Sequence, residues 1–468
     1  MNNILRIKDL KPQTPGIGTC GLKRTMGSLD MILLGVGCVI GTGIFVLTGV
    51  AAARYAGPGI VISFILAGLA CLFTALAYSE LASMVPVAGT VYAYSYVSLG
   101  EIAAWLTGWS LILEYSVGAG VVAAGWSGYV TGLLKGFGFS LPQALTAIPA
   151  EGGIVNLPAI LIVCVLSLLL IRGTKECSSL NKVLVVIKLA IILLFIALAL
   201  PFVETSNWAP LLPFGLLGVT QGAAVIFFAY TGFDTVATAA EECRNPRRDL
   251  PIGIIASLLV CTILYITVAA VLTGVVNYHD LDTPAPVSFA LNAIGNNLGA
   301  SIVGIGAIAG ITTVLLVLLY GQSRIIFSMS RDGLIPPGIC DIHGSYGTPY
   351  KVTILVGLFV ALVAGFMPLG DMAELANIGV LFPFIVAATA AMVLRLTKPD
   401  AERPFRCPKI FIVAELAIFS CSILMFSLKM DTWLKFIAWI ALGLIIYYAY
   451  GYRHSTLGKR ARSEGGAL

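Results

Sequence analysis

The sequence predicts an all-α polytopic membrane protein with twelve transmembrane helices. Three observations carry this: 58% of residues are hydrophobic and only 11% charged, with a mean hydropathy of +0.96; apolar runs recur at near-spanning length; and the basic residues are divided very unequally between the connecting loops. The net charge of +5 is spread over many short loops rather than gathered on one surface, which excludes a nucleic-acid partner. The N-terminal stretch, with Arg6, Lys8, Lys11, Lys23 and Arg24 ahead of Asp30, lacks a signal-peptide pattern, so the first apolar run is expected to stay in place as a helix. No catalytic triad or CxxC pair is present, and His279, His343 and His454 fall in loops, so neither an enzyme, a cofactor nor a metal site is expected.

Runs near the roughly 20 residues needed to cross a bilayer fall at 30–53, 59–84, 102–131, 157–172, 180–201, 214–240, 251–276, 297–328, 350–367, 373–394, 410–428 and 433–452, numbered here as segments 1 to 12. An even number puts both termini on one side. On that side, the two ends and the loops after even-numbered segments hold 23 Lys and Arg, while the other face holds Arg54, Lys135, Lys429 and Lys435. The positive-inside rule makes the richly basic face, and with it both termini, cytoplasmic. A multi-pass protein of the inner (plasma) membrane follows. The ten cysteines then fall in segments or cytoplasmic stretches, where no disulfide is expected.

Segment 1 contains GVGCVIGTGIF at 35–45, four glycines in a run otherwise apolar enough to span. Glycines at 41 and 43 weaken a helix, and in hydrocarbon each freed backbone group needs a partner. A helix broken at mid-membrane lines a cavity, which is how secondary transporters build substrate sites. A second break is expected at FFAYTGFD, 227–234, inside segment 6, five segments later. Paired breaks at that offset point to two inverted halves of five helices, with helices 1 and 6 broken; glycines serving only close helix packing are the alternative. The chain then divides into a cytoplasmic stretch 1–27, halves at 28–201 and 202–394, helices 11 and 12 at 395–452, and a cytoplasmic tail 453–468.

The first half-helix of segment 1 ends in free carbonyls near Cys38, Val39 and Ile40, and the second begins with free amides near Gly41, Thr42, Gly43 and Ile44. These ends carry roughly half an elementary charge each, negative at the carbonyls and positive at the amides. Segment 6 adds carbonyls around Phe228, Ala229 and Thr231. A zwitterion fits this field, its carboxylate on the Gly41–Gly43 amides and its ammonium among the carbonyls. Phe228 closes over it as an aromatic gate, or else packs in the bundle. Gly43→Val is expected to abolish binding with folding retained.

Three further ionisable groups sit at membrane depth, where each costs about 3 kcal/mol uncompensated. Lys188 lies about 12 Å inside segment 5 by helical rise, too deep to snorkel fully. Glu114, near the centre of segment 3, should face inward, its charge offset by Lys188 or by a cationic guest. Asp234, two residues after Gly232, either caps the inner half of segment 6 or binds substrate. Glu80 and Glu415 lie nearer segment ends, and Glu241, Glu242, Arg244, Arg247 and Arg248 form a solvated cytoplasmic face or a gate network.

The segment 1 motif, FAYTGFDTVATAAEE with NPRRDLP after it, GQSRIIFSMSRDGLIP after segment 8 and ANIGVLF in segment 10 resemble the amino acid–polyamine–organocation superfamily. The EECRNP and RPFR loops and ANIG resemble its cationic amino acid transporter branch, in its bacterial form; the likeness runs over about 20–450. It implies a leucine-transporter-type 5+5 inverted repeat plus two helices, alternating access driven by an ion gradient, and substrate at the two breaks. It also places the Lys188 ammonium where sodium-coupled members bind a cation between helices 1, 5 and 8. A group held away from water there can release and regain a proton, which makes proton-coupled import of a cationic or broad-range L-amino acid the expectation. An exchanger and a neutral amino acid:proton symporter are the alternatives, with Val225, Ile40 and Phe228 as an apolar pocket. The partners are then the amino acid, protons and the bilayer, and a monomer suffices. A channel would need a continuous polar pore that these segments do not show, and a non-transporting scaffold leaves Gly41, Gly43 and Lys188 unexplained.

Overall fold

Segment 1 does break: helix Ser28–Val39 stops, Ile40 is extended (ψ 105°), and helix resumes at Gly43 in a wide π-type turn that runs on to Ala56. The computed structural model describes residues 6–8, 26–85, 89–172, 177–339, 341 and 348–459, with backbone alone at 177–182 and 238–242. Lys11, Lys23, Arg24, Lys175, Arg460, Arg462, Cys20, Cys340 and His343 lie outside the described residues, as do the side chains of Cys177, Lys182, Glu241 and Glu242. The described chain is helical, with no strand beyond one isolated bridge between Met26 and Cys243.

Among the described residues eight helices are long and apolar enough to cross a membrane, Gly43–Met84 counting as one run, and four more apolar helices of 10–17 residues are Ser28–Val39, Leu157–Arg172, Tyr350–Phe366 and Ile410–Phe426. Within Gly43–Met84 the chain turns at Gly57, whose φ of +60° suits glycine, followed by Pro58; a side chain at 57 would also meet the Pro213 ring at 2.3 Å. Helices Glu101–Gly136 and Asn297–Arg331 outrun segments 3 and 8 because their polar ends still complete backbone bonds beyond the apolar stretch. Two short helices, Thr90–Ser98 and Pro286–Ala293, were not among the twelve segments, being too short to span.

Helices five segments apart lie side by side: Ile60–Met84 against Pro246–Val275, Glu101–Gly136 against Asn297–Arg331, and Leu157–Arg172 against Tyr350–Phe366. Small residues allow these approaches. A side chain at Gly357 would run into Ser167 Oγ, and one at Gly321 would meet the Tyr115 ring at 2.8 Å.

Buried carboxylates tie the bundle at its ends. Glu80, set aside by its position near a segment end, is 1% exposed and takes bonds from Arg395 (3.0 Å from Nε), Arg403 (3.2 Å) and the Cys407 N–H (2.8 Å), pinning the loop between segments 10 and 11 to segment 2. At one end of the bundle, residues near the two ends of the described chain meet. Lys8 donates to Asp332 (2.8 Å), which also accepts from Tyr92 (2.8 Å), while Tyr447 (3.0 Å), Tyr96 (3.2 Å) and Ser455 (2.5 Å) all donate to Glu101. Glu374 forms a third hub, with Lys429 at 2.7 Å and Thr432 at 2.8 Å.

Candidate functional site at two facing helix breaks

The second break falls at Thr231 and Gly232. Helix Gly215–Ile226 tightens through Phe227–Tyr230, Thr231 is extended (ψ 144°), Gly232 adopts φ +112°, and a tight helix resumes at Phe233. That φ suits glycine alone. The two breaks touch: a side chain on Gly43 would place its Cβ 2.4 Å from both Cα and Cβ of Ala229, and one on Gly232 would lie 3.1 Å from the Cys38 carbonyl oxygen. This corrects the expectation that Gly43→Val leaves folding untouched, because the new side chain meets backbone on the facing break.

Lys188 reaches the negative end of the first half-helix. Its Nζ donates to the carbonyls of Gly37 (2.6 Å) and Ile40 (3.1 Å), two of the acceptors that a helix end leaves without partners. The residue is fully buried, and its stem lies against Gly310, where a Cβ would sit 2.9 Å from Lys188 Cγ. One side chain of segment 5 thus meets segment 1 through its ammonium and segment 8 through its stem. Among the described residues neither Lys188 nor Glu114 makes an ion pair, so the expected neutralisation of Glu114 by Lys188 is not formed; the lysine is turned to backbone carbonyls instead.

Asp234 lies in the first turn of the resumed helix, two residues past the cap residue Gly232. Its Oδ1 accepts the Gly232 N–H at 3.3 Å and the Tyr115 hydroxyl stands 3.5 Å from Oδ2. Thr231 donates through both its N–H (3.1 Å) and its hydroxyl (2.8 Å) to the Phe228 carbonyl. The Phe228 ring covers Gly118 of segment 3, at 3.0 Å from the position of a Cβ there. Glu114 packs its backbone under Gly379, is 4% exposed, and has an Oε2 without a hydrogen-bond partner. Ile40, Val225 and Phe228 are buried apolar groups around the breaks, and Val314 of segment 8 covers Gly41.

Three residues of this region were missed by sequence reasoning. The Tyr265 hydroxyl of segment 7 lies 2.7 Å from the carbonyls of both Val39 and Ala229, so one proton is shared between the two breaks. Asn377 donates to the Val225 carbonyl (2.9 Å) and keeps a buried Oδ1 without a partner, and Gln322 donates to Ser116 of segment 3 with its Oε1 likewise unpartnered. A buried tyrosine in an apolar run needs a partner for its hydroxyl, and that was the available signal for Tyr265. With Thr42 Oγ1, Glu114 Oε2 and Tyr78 OH, these atoms form a set of buried polar groups without protein partners, the condition in which a polar guest or water is accommodated. Tyr265→Phe strands both shared carbonyls and is expected to cost about 1–3 kcal/mol. Thermal denaturation of the purified protein checks this, and an unchanged midpoint would remove the bridging role.

The family model for amino acid permease matches residues 26–447. A methylthioribose transporter of Bacillus subtilis (strain 168) is 47% identical over 461 residues, covering 98% of this chain and 100% of that protein. A branched-chain amino acid permease of the same organism is 48% identical over 458 residues, 97% and 98% of the two chains. The vacuolar cationic amino acid transporter 4 of Arabidopsis thaliana is 36% identical over 410 residues, 86% of this chain and 68% of that one. The match over nearly the whole length, on a bundle of apolar helices, makes this a multi-pass membrane transporter rather than an enzyme, and the chain belongs to the amino acid permease family.

Proposed function

We propose that the protein is a twelve-span, alternating-access symporter that carries an L-amino acid with a neutral, apolar side chain inward across the plasma membrane together with a proton. The observation that carries this is Lys188, a buried ammonium whose two hydrogen bonds go to the broken end of the first half-helix. Proton loss there removes the charge that holds the helix's negative end and frees the inner half of segment 1 to move. Residues 28–201 and 202–394 are the inverted halves, a reading supported by the side-by-side packing of segments 2 and 7, 3 and 8, and 4 and 9. Residues 395–452 add helices 11 and 12, and the termini at 1–27 and 453–468 are cytoplasmic. The substrate carboxylate rests on the amides of Gly41, Thr42 and Gly43. Its ammonium uses the carbonyls at Cys38, Val39, Ala229 and Thr231, since the Phe228 carbonyl already accepts two bonds from Thr231.

The neutral side chain is supported by the apolar surround of Ile40, Val225, Phe228 and Val314, and by Asp234, whose carboxylate is turned to the Gly232 N–H and the Tyr115 hydroxyl. The full-length relative named for branched-chain amino acids agrees with it. A cationic substrate is the second reading, favoured by the unpartnered Glu114 Oε2 and by the relatives named as cationic amino acid transporters. Uptake into proteoliposomes under an imposed pH gradient, with unlabelled competitors, separates the two. Leucine, valine or alanine should outcompete arginine at least tenfold, and Asp234→Asn should change affinity by less than tenfold. Arginine winning, with Asp234→Asn costing tenfold or more, selects the cationic reading. Uptake that requires internal amino acid and ignores the pH gradient makes the protein an exchanger.

A further inference from the structure

A cavity of about 510 Å³ opens between segment 7 and the loop that joins segments 10 and 11, away from the two breaks. Arg247 and Arg248 stand at one end, Ile252, Ile255 and Leu259 form one wall, and Phe405 forms the other. The order along the helix matters. Residues 248, 252, 255 and 259 follow the three- and four-residue spacing of a single helix face, which continues through the exposed Ile263. From Arg248 to Leu259 is about 16 Å at helical rise, close to half of the roughly 30 Å hydrocarbon core. A guanidinium therefore lies at the headgroup end of a stripe one leaflet deep.

We propose that this cavity binds an anionic phospholipid, its phosphate on Arg247 and Arg248 and an acyl chain along Ile252, Ile255 and Leu259. Arg248 is exposed and makes no ion pair among the described residues. Among the described residues Arg247 pairs with Glu402, both more than half exposed, and so exposed a pair yields readily to a phosphate. The facing wall is fixed: the Phe405 N–H donates to Ser83 Oγ (3.3 Å), and its neighbours Arg403 and Cys407 are held by buried Glu80. A soluble phosphate would leave the apolar wall unused, whereas a basic site between helices at the membrane surface is suited to a lipid headgroup. The inference rests on the membrane setting alone and not on the substrate reading, so its test involves no transport.

The experiment is native mass spectrometry of the purified full chain in detergent, titrated with phosphatidylglycerol, with phosphatidylcholine of the same chains, and with glycerol 3-phosphate, alongside the thermal midpoint. Phosphatidylglycerol should bind at least tenfold more tightly than phosphatidylcholine and raise the midpoint, and glycerol 3-phosphate should do neither. Arg247→Gln with Arg248→Gln should erase the preference, at about fivefold per arginine. Ala256→Trp, which fills the cavity from its lining and leaves the arginines in place, should weaken phosphatidylglycerol to the level of phosphatidylcholine. Equal binding of the two lipids, a preference that survives either variant, or stabilisation by glycerol 3-phosphate alone would each overturn the proposal.

Discussion

Gly43→Val is expected to lose both substrate binding and several degrees of thermal stability. The position of its Cβ lies 2.4 Å from the Ala229 Cα, which is backbone and cannot rotate away. Overpacking of this kind costs about 1–3 kcal/mol, and separating the breaks also strains the Tyr265 hydroxyl shared between Val39 and Ala229, a further loss of about 1–3 kcal/mol. Gly41→Ala is the informative comparison. There the Cβ meets the Val314 Cγ2 at 3.0 Å, a side-chain methyl that can shift, so the midpoint should stay within about a degree while substrate affinity falls. Scintillation proximity binding and scanning fluorimetry on the two variants measure both effects. A Gly43→Val protein with the unmutated midpoint would show that the facing breaks are not in the contact described.

Lys188→Met is expected to reduce pH-gradient-driven accumulation at least a hundredfold. Methionine keeps most of the stem that packs on Gly310 and removes the ammonium, leaving the carbonyls of Gly37 and Ile40 without their donor at about 1–3 kcal/mol each. Two measurements distinguish a proton carrier from a structural strut. If the group titrates in the cycle, the variant still binds substrate and exchanges labelled for unlabelled amino acid, but no longer accumulates it against a gradient. If the ammonium is only a strut, binding and exchange fall together with accumulation. Sodium dependence of uptake by the unmutated protein would remove the proton reading altogether.

Much of this was legible in the sequence because the bilayer allows so few solutions. Hydrocarbon demands long apolar helices, so hydropathy located them, and it tolerates a broken helix only in protein-lined space, so the glycines at 41, 43 and 232 located the breaks. Lys188 was conspicuous for the same reason, as a charge two turns too deep. What it bonds to was another matter: the sequence left Glu114 as a partner, while the structure turns the ammonium to backbone carbonyls, which have no signature in a sequence. Tyr265 escaped because its partners lie 226 and 36 residues away. The short helices Thr90–Ser98 and Pro286–Ala293 escaped because no membrane constraint sets their length. Glu80 looked like a segment-end residue because its depth along the helix said nothing of the loop folded back onto it.

The meeting of Lys8, Tyr447 and Ser455 at Asp332 and Glu101 bears on how the molecule is made. Tyr447 and Ser455, which bond Glu101, are 346 and 354 residues further along the chain. At 5–20 residues per second, translation leaves that carboxylate waiting for roughly 20–70 s. During this interval the early helices are already in the membrane with an acid at their edge that none of the helices yet synthesised supplies with these donors. Docking of the last helix is then the step that completes the bundle. Until then Glu101 has only the Tyr96 hydroxyl, five residues before it, of its three hydroxyl donors, so an early acid and a late helix are assembled as one unit.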